Sequence, residues 1–199
     1  IFFINGYNFE SSKVSDVHKL HWIRSITEED IFMDEIFEII SKRNIPVKLK
    51  LSDFRPIEAQ NIYDSLSVQY TKYLLNHILN ATERAQILDE IYNEKCDNEK
   101  KHAKELYMSI KMIKELSNLG ALGSHGFKHN PKTNIDNNKL FSDLMHNQEL
   151  IKYHTGEYTD YISYPFGGKT AVSKDVARIA QKTKHKIGFT MERAFANNI

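Results

Sequence analysis

The sequence predicts an α/β fold built on parallel strands, and three observations carry that prediction. Short apolar runs at residues 1–4, 121–124, 158–164 and 186–191 each lead into a turn or loop. The stretches between them are long enough for helices and repeat apolar residues three and four apart. From Leu106 onward the two patterns alternate in the order α-β-α-β-α-β, the arrangement in which helical crossovers join parallel strands.

Each element follows from local chemistry. Residues 1–4 are uniformly apolar and closed by Asn5-Gly6, a turn signal, so they read as a buried strand. Residues 14–45 read as helix, with Ile31, Met33, Ile36, Phe37, Ile39 and Ile40 on one broad apolar face; Asn44 and Pro46 end it. Residues 47–51 alternate apolar side chains with Lys and read as a short strand or an extended loop. Over 57–79, Ile62, Leu66, Tyr70, Tyr73, Leu74 and Ile78 recur at helical spacing, and Thr82-Glu83 caps a further helix through Tyr92. Residues 96–101 are a charged break. Leu106, Ile110, Ile113 and Leu116 make a helix face, and Gly120 stands where a C-terminal capping glycine belongs. After the strand at 121–124, a polar loop with Pro131 leads to a helix over about 138–154, broken at Thr155-Gly156. A strand at 158–164, a helix at 173–184 capped by Ser173, and a strand at 186–191 complete the order.

At 199 residues the chain is one domain, or one domain with an insertion. Residues of about 52–104 read as a helical elaboration on the α/β frame. With 41% hydrophobic and 11% aromatic residues it can bury a substantial core. A net charge of +1, mixed along the chain, gives no electrostatic case for nucleic acid. The single cysteine, Cys96, rules out an internal disulfide and a cysteine-rich zinc site. No run approaches the roughly 18 apolar residues of a membrane span. The chain opens inside an apolar segment without a basic flank, so its start reads as a fold entered partway rather than a signal peptide, which leaves its compartment open.

The segment richest in chemistry is Ser124-His125-Gly126-Phe127-Lys128-His129. Two imidazoles four residues apart can converge on one metal ion where the backbone turns helically after a strand. Tyr161-Ile162-Ser163-Tyr164-Pro165-Phe166-Gly167-Gly168 is a second apolar run, ending in a Pro/Gly turn. In parallel α/β folds ligand sites lie at the C-terminal ends of the strands. Asn5-Gly6, His125 with His129, Pro165-Phe166-Gly167 and Glu192-Arg193 all fall there. A metal with two His ligands still needs an oxygen ligand, an open position for water and a carboxylate nearby as general base. The turn Tyr164-Pro165-Phe166 can aim an amide N–H at a developing oxyanion; Pro165 has none, so Phe166 is the donor candidate. Glu192-Arg193 reads either as a site pair or as an exposed ion pair. His18 and His21, flanking Trp22, read as surface or partly packed side chains, and His77, His102, His146, His154 and His185 as helix-surface residues.

Leu122 to His129 resembles the metal-binding H-[ST/G]-x-x-H motif of the polysaccharide deacetylases, the NodB-homology domain of carbohydrate esterase family four. Tyr161 to Gly167 resembles the Tyr-Pro-Phe-Gly form of the motif that follows it, and the helix ending Leu119-Gly120 and the stretch Asp175 to Ala180 leading to Gly188-Phe189-Thr190 fit the same family. The resemblance covers about 105–192 and extends to 1–10, but is poor over 14–104. It implies an irregular (β/α) barrel, incomplete here and carrying a helical insertion. It further implies a divalent metal, usually zinc, held by Asp-His-His, and hydrolysis of an N- or O-acetyl group on a polysaccharide or acetylated sugar. On that resemblance His125 and His129 are the two His ligands and the Phe166 N–H is the oxyanion donor, with Tyr164 and Pro165 forming its turn.

The departures are specific. The family's Asp-Asp motif is absent, the arginine that often precedes the Pro by two residues is Ser163, and the late Leu-x-His general acid would fall beyond Ile199. The expectation is therefore a deacetylase domain cut at both ends. One rival is a non-catalytic homologue that binds carbohydrate or a partner. Another is a metal-dependent amidase acting on a small non-sugar amide. Within the chain, Asp16, Asp53 and Glu192 are carboxylates that could take the missing role.

Overall fold

The computed structural model describes residues 1–47, 52, 54, 55, 64–129, 132, 135–168 and 171–192. In chain order its elements are β1 (Phe2–Ile4), α1 (Gly6–Ser11), α2 (Asp16–Ile26), α3 (Glu29–Lys42), α4 (Leu66–Tyr73), a π-helical turn (Leu74–Ile78), α5 (Ala81–Lys95), α6 (Glu99–Leu106), α7 (Ile110–Asn118), β2 (Leu122–Ser124), α8 (Asn137–Thr155), β3 (Tyr161–Ser163), α9 (Lys174–Lys182) and β4 (Ile187–Phe189). The chain divides into two compact units: Ile1–Lys13 with Lys100–Ile199, and Val14–Glu99. The predicted strand or loop at 47–51 lies, from residue 48 on, outside the described residues, as do the first residues of the helix predicted over 57–79, Asp53, Pro131 and Arg193.

The first unit is the predicted α/β fold. Its four strands form one sheet in the order β1-β2-β3-β4. Every pairing is parallel, with Phe2 opposite Leu122, Ser124 opposite Ile162 and Tyr161 opposite Ile187. Among the described residues the sheet is open, with β1 and β4 at its edges. The strand predicted over 158–164 is shorter because side chains take over its first backbone groups. Thr159 N–H donates to Gln148 Oε1 at 3.1 Å, and Gln148 Nε2 donates to Thr159 O at 2.8 Å.

One face of the sheet is sealed by helices. Ile4 and Leu122 pack with Ile113 of α7 and Ile151 of α8; Ile162 and Tyr164 pack with Leu140 and Leu144 of α8 and Val176, Ile179 and Ala180 of α9. Leu144 and Ile162 are essentially fully buried, each worth about 1.5–3 kcal/mol relative to exposure. Side chains alternate across a strand, so Phe3 and Phe189 point to the opposite face, where their rings meet edge to face at 5.4 Å. Gly123 lies between them in sequence order of the strands, and a side chain there would collide with the Phe3 ring. At the end of α7 the predicted glycine cap is present: Gly120 has φ +65°, its N–H donates to Ser117 O at 2.9 Å, and Ala121 N–H donates to Leu116 O at 2.8 Å.

The second unit is helical. The helix predicted over 14–45 is two helices, because Thr27 and Glu28 are extended. Glu29 and Asp30 then start a fresh first turn, where acidic side chains favour the N-terminal end of the helix dipole. The helix predicted from Thr82-Glu83 begins slightly earlier. Asn80 accepts from Thr82 N–H and Glu83 N–H, and Glu83 reaches back to Asn80 N–H, a complete capping box. Ile23, Phe32, Ile36, Leu74, Ile87 and Leu88 are buried without exposure. Val14 N–H donates to Glu99 Oε1 at 3.1 Å, and buried Lys19 bridges Asp89 at 2.7 Å and Glu99 at 2.8 Å. The elaboration read at about 52–104 falls largely in this unit, whose compact limits are Val14–Glu99. Among the described residues no helix is long and apolar enough to cross a membrane.

Candidate functional site

The C-terminal ends of β1, β2 and β3 converge on the loop that carries the two histidines. The backbone joins it to β1: His125 N–H donates to Ile4 O at 2.8 Å, Gly6 N–H to Gly126 O at 3.4 Å and Tyr7 N–H to Phe127 O at 3.0 Å. Asn5, at the end of β1, adds a bond from Nδ2 to Gly126 O at 3.2 Å. Below the loop, buried Asn147 of α8 donates to Ile4 O at 3.2 Å and to Ser124 Oγ at 2.7 Å. The ends of both strands are thereby fixed to one helix.

His125 and His129 are brought together, with ring centroids 4.9 Å apart. His125 Nδ1 lies 2.8 Å from Ser163 O. A carbonyl only accepts, so Nδ1 carries the proton and the lone pair sits on Nε2. The contact fixes the orientation of the ring through that nitrogen. Asp143 of α8 accepts from Phe127 N–H at 3.3 Å and Lys128 N–H at 2.9 Å. It also pairs with Lys132 Nζ at 2.7 Å. Burial pulls the Lys132 ammonium below the ordinary lysine value, opposed by the Asp143 charge.

Phe166 sits beside this pair, its ring 5.1 Å from that of His129. Its φ of +64° is in the left-handed region, a costly place for a bulky side chain and one often found where function fixes the backbone. The turn is held from both sides: Tyr164 N–H donates to Phe189 O at 3.1 Å and Met191 N–H to Gly167 O at 2.9 Å. Tyr164 itself is buried in the core, and burial raises its pKa. Its ring lies so close over β4 that a side chain at Gly188 would meet it at 2.7 Å. Tyr164, packed in the core, and buried Pro165 lead the backbone into this turn. Glu192 is exposed. Asp16 lies on α2 of the helical unit, where burial raises its pKa. His185, read as a helix-surface residue, is instead buried between α9 and β4. Its Nδ1 lies 3.2 Å from Ala180 O, and burial lowers its pKa to about 4.

The chemistry of the donor set fits a metal in part. Two imidazoles lie close together, their planes tilted by 52°, and one has a ring nitrogen fixed, but among the described residues no group of three His, Cys, Asp or Glu could enclose an ion. The positions that the sequence reading missed are Lys132, Asp143 and Asn147, whereas Asn5 stood among the strand-end motifs. Asp143 carried a faint signal, since Asp is a poor residue for a helix interior.

No curated protein matches the sequence. One solved structure similar to it is the Streptococcus pyogenes deacetylase PplD in complex with acetate, 14% identical, covering 82% of this chain and 72% of that one at a TM-score of 0.39; nothing about the site rests on that likeness. The family of polysaccharide deacetylases matches residues 67–188, more than half of the chain, a span that includes both histidines and the Tyr164-Pro165-Phe166 turn and starts earlier than the motifs alone indicate. On that match the chain belongs to the polysaccharide deacetylase family.

Proposed function

We propose that this chain is a metal-dependent hydrolase domain that removes acetyl groups from an acetylated polysaccharide or sugar. The observation that carries the reading is the close pair His125 and His129 at the end of β2, with the His125 tautomer set by Ser163 O. These two side chains would hold the ion, zinc being the family's usual choice. Bound there, a divalent metal supplies Lewis acidity toward the acetyl carbonyl and the attacking water.

The chain's own groups supply the rest. The Phe166 N–H, on a turn fixed by β4, is the donor for the oxyanion that develops at the acetyl carbonyl; one such donor is typically worth about 2.7–4 kcal/mol of transition-state stabilisation. The Phe166 ring beside His129 covers one flank of the site. Asn5 and Asn147 keep the ends of β1 and β2 in register with the histidine loop. The family's Asp-Asp motif, which supplies the oxygen ligand and the general base, is not in this sequence. The second reading is a homologue that binds acetylated sugar without cleaving it.

Acetate release from acetylated glycans separates the two. It should be measured with added Zn²⁺ for the 199-residue chain and for any longer product that its gene encodes. The longer product should release acetate in a metal-dependent way and lose that activity on His125→Ala, while the 199-residue chain should be slow. A longer product that binds the glycan without releasing acetate, metal present or not, supports the binding homologue. An equal rate from the short chain would assign the base to a carboxylate within it.

A further inference from the structure

We propose that the buried Asp143–Lys132 pair is the device that sets the angle between His125 and His129; this rests on reading the two histidines as metal ligands. Asp143 reaches the loop from α8 and accepts three hydrogen bonds, from Phe127 N–H at 3.3 Å, Lys128 N–H at 2.9 Å and Lys132 Nζ at 2.7 Å. Lys132 Nζ donates in turn to Lys128 O at 2.8 Å. One charge pair therefore holds both the N–H and the C=O of Lys128, the residue immediately before His129.

Lys132 is fully buried and Asp143 nearly so. Withdrawing a charge pair from water is a poor way to gain stability, because an apolar pair of the same volume does as well or better. What the charges add is direction: short, charge-assisted bonds to particular peptide atoms. Gly126 shows that the loop is shaped around them. Its φ is +79°, and a Cβ there would lie 2.6 Å from Lys132 Nζ and 3.0 Å from Asp143 Oδ2.

The two histidines are thus fixed from different elements. His125 is held by β3 through Ser163 O, and the backbone entering His129 is held by α8 through Asp143. Outer partners of this kind govern how tightly a pair of ligands grips an ion.

The test is Zn²⁺ titration of the 199-residue chain, following the imidazole resonances of His125 and His129 by NMR. Wild type should show both rings responding together. Asp143→Asn and Lys132→Met should each need roughly tenfold more Zn²⁺ or beyond, with the amide spectrum of the sheet retained. Lys186→Met, which removes the exposed pair with Asp160 at 2.9 Å, should leave the affinity unchanged. Where Asp143→Asn fails to fold, Lys132→Met and the charge-retaining Lys132→Arg carry the comparison, Arg recovering affinity that Met loses. Unchanged Zn²⁺ affinity in the folded variants overturns the proposal and leaves the metal reading standing. A wild type in which neither ring responds overturns that reading, and the proposal with it.

Discussion

A carbonyl oxygen has no proton to give, so the 2.8 Å contact with Ser163 decides which nitrogen of His125 is a donor and which keeps its lone pair. Single atoms govern other positions in the same way. Gly126→Ala must place a Cβ against the Lys132 ammonium and accept a left-handed φ; the backbone alone costs about 1–2 kcal/mol, and the contact adds to it. Urea denaturation should show a loss of at least that size, and an unchanged midpoint would contradict the loop geometry. His185 gives a pH signature. Burial depresses its folded pKa to about 4 from an ordinary 6.5, so the unfolded chain binds more protons between those values. Its stabilising contribution is present above pH 6.5 and is lost as pH falls toward 4, about 2 kcal/mol by pH 5 at about 1.4 kcal/mol per unit. Urea midpoints at pH 7 and pH 5 should converge in His185→Gln, and a pH slope equal to that of wild type would rule out this assignment. His125, His129 and Phe166 were legible because His-x3-His and the Pro/Gly turn are local signals. Lys132, Asp143 and Asn147 were not: Asp143 meets its partners only because α8 folds back on the loop, and Asn147 bonds to Ile4, 143 positions away. His185 was misread because its burial comes from the packing of α9 on β4, which no local pattern records.

At the scale of elements, caps decide where helices stop. α7 and α8 end on glycines with φ +65° and +90°, whereas α9 ends on Lys184 at φ +76°. Lys184 is exposed, so Lys184→Gly removes strain at little loss of contact and should raise stability by about 1 kcal/mol. A lower melting temperature for that variant would mean that the Lys184 side chain holds something the backbone argument overlooks. The opposite change is expected at the start of α5, where Asn80→Ala strips the capping box and should cost about 1 kcal/mol. The urea midpoint of the variant measures it. Helix faces and glycine stops were readable from the sequence because their contacts lie within one or two turns. The break at Thr27-Glu28 was harder to see, since the apolar spacing runs on across it. Strand lengths were overestimated where Gln148 and Thr159 satisfy the backbone in place of a neighbouring strand.

For the whole molecule, sequence distance sets the order of events. Pairing β1 with β2 joins Phe2 to Leu122, and closing so long a loop is entropically slow, whereas α5 forms from bonds four residues apart. Pulsed hydrogen exchange during refolding should therefore protect Ile87–Tyr92 amides before the His125 amide that bonds to Ile4 O. Simultaneous protection would show the two units folding as one. The α/β class and its four parallel strands were predictable because alternation of helix and strand periods survives in the sequence, while the limits of the helical unit depend on contacts between distant segments. Those limits meet in one hydrogen bond: Val14 begins that unit, Glu99 ends it, and the Val14 N–H donates to the Glu99 carboxylate. The polypeptide leaves by the door through which it entered. A segment tied end to end in this way is expected to be exchangeable as a cassette, with a short linker joining Lys13 to Lys100. Replacing Val14–Glu99 by a few Gly and Ser residues should leave a protein in which His125 and His129 still respond to Zn²⁺, and loss of that response in a folded product would show that the cassette does more than lengthen the chain.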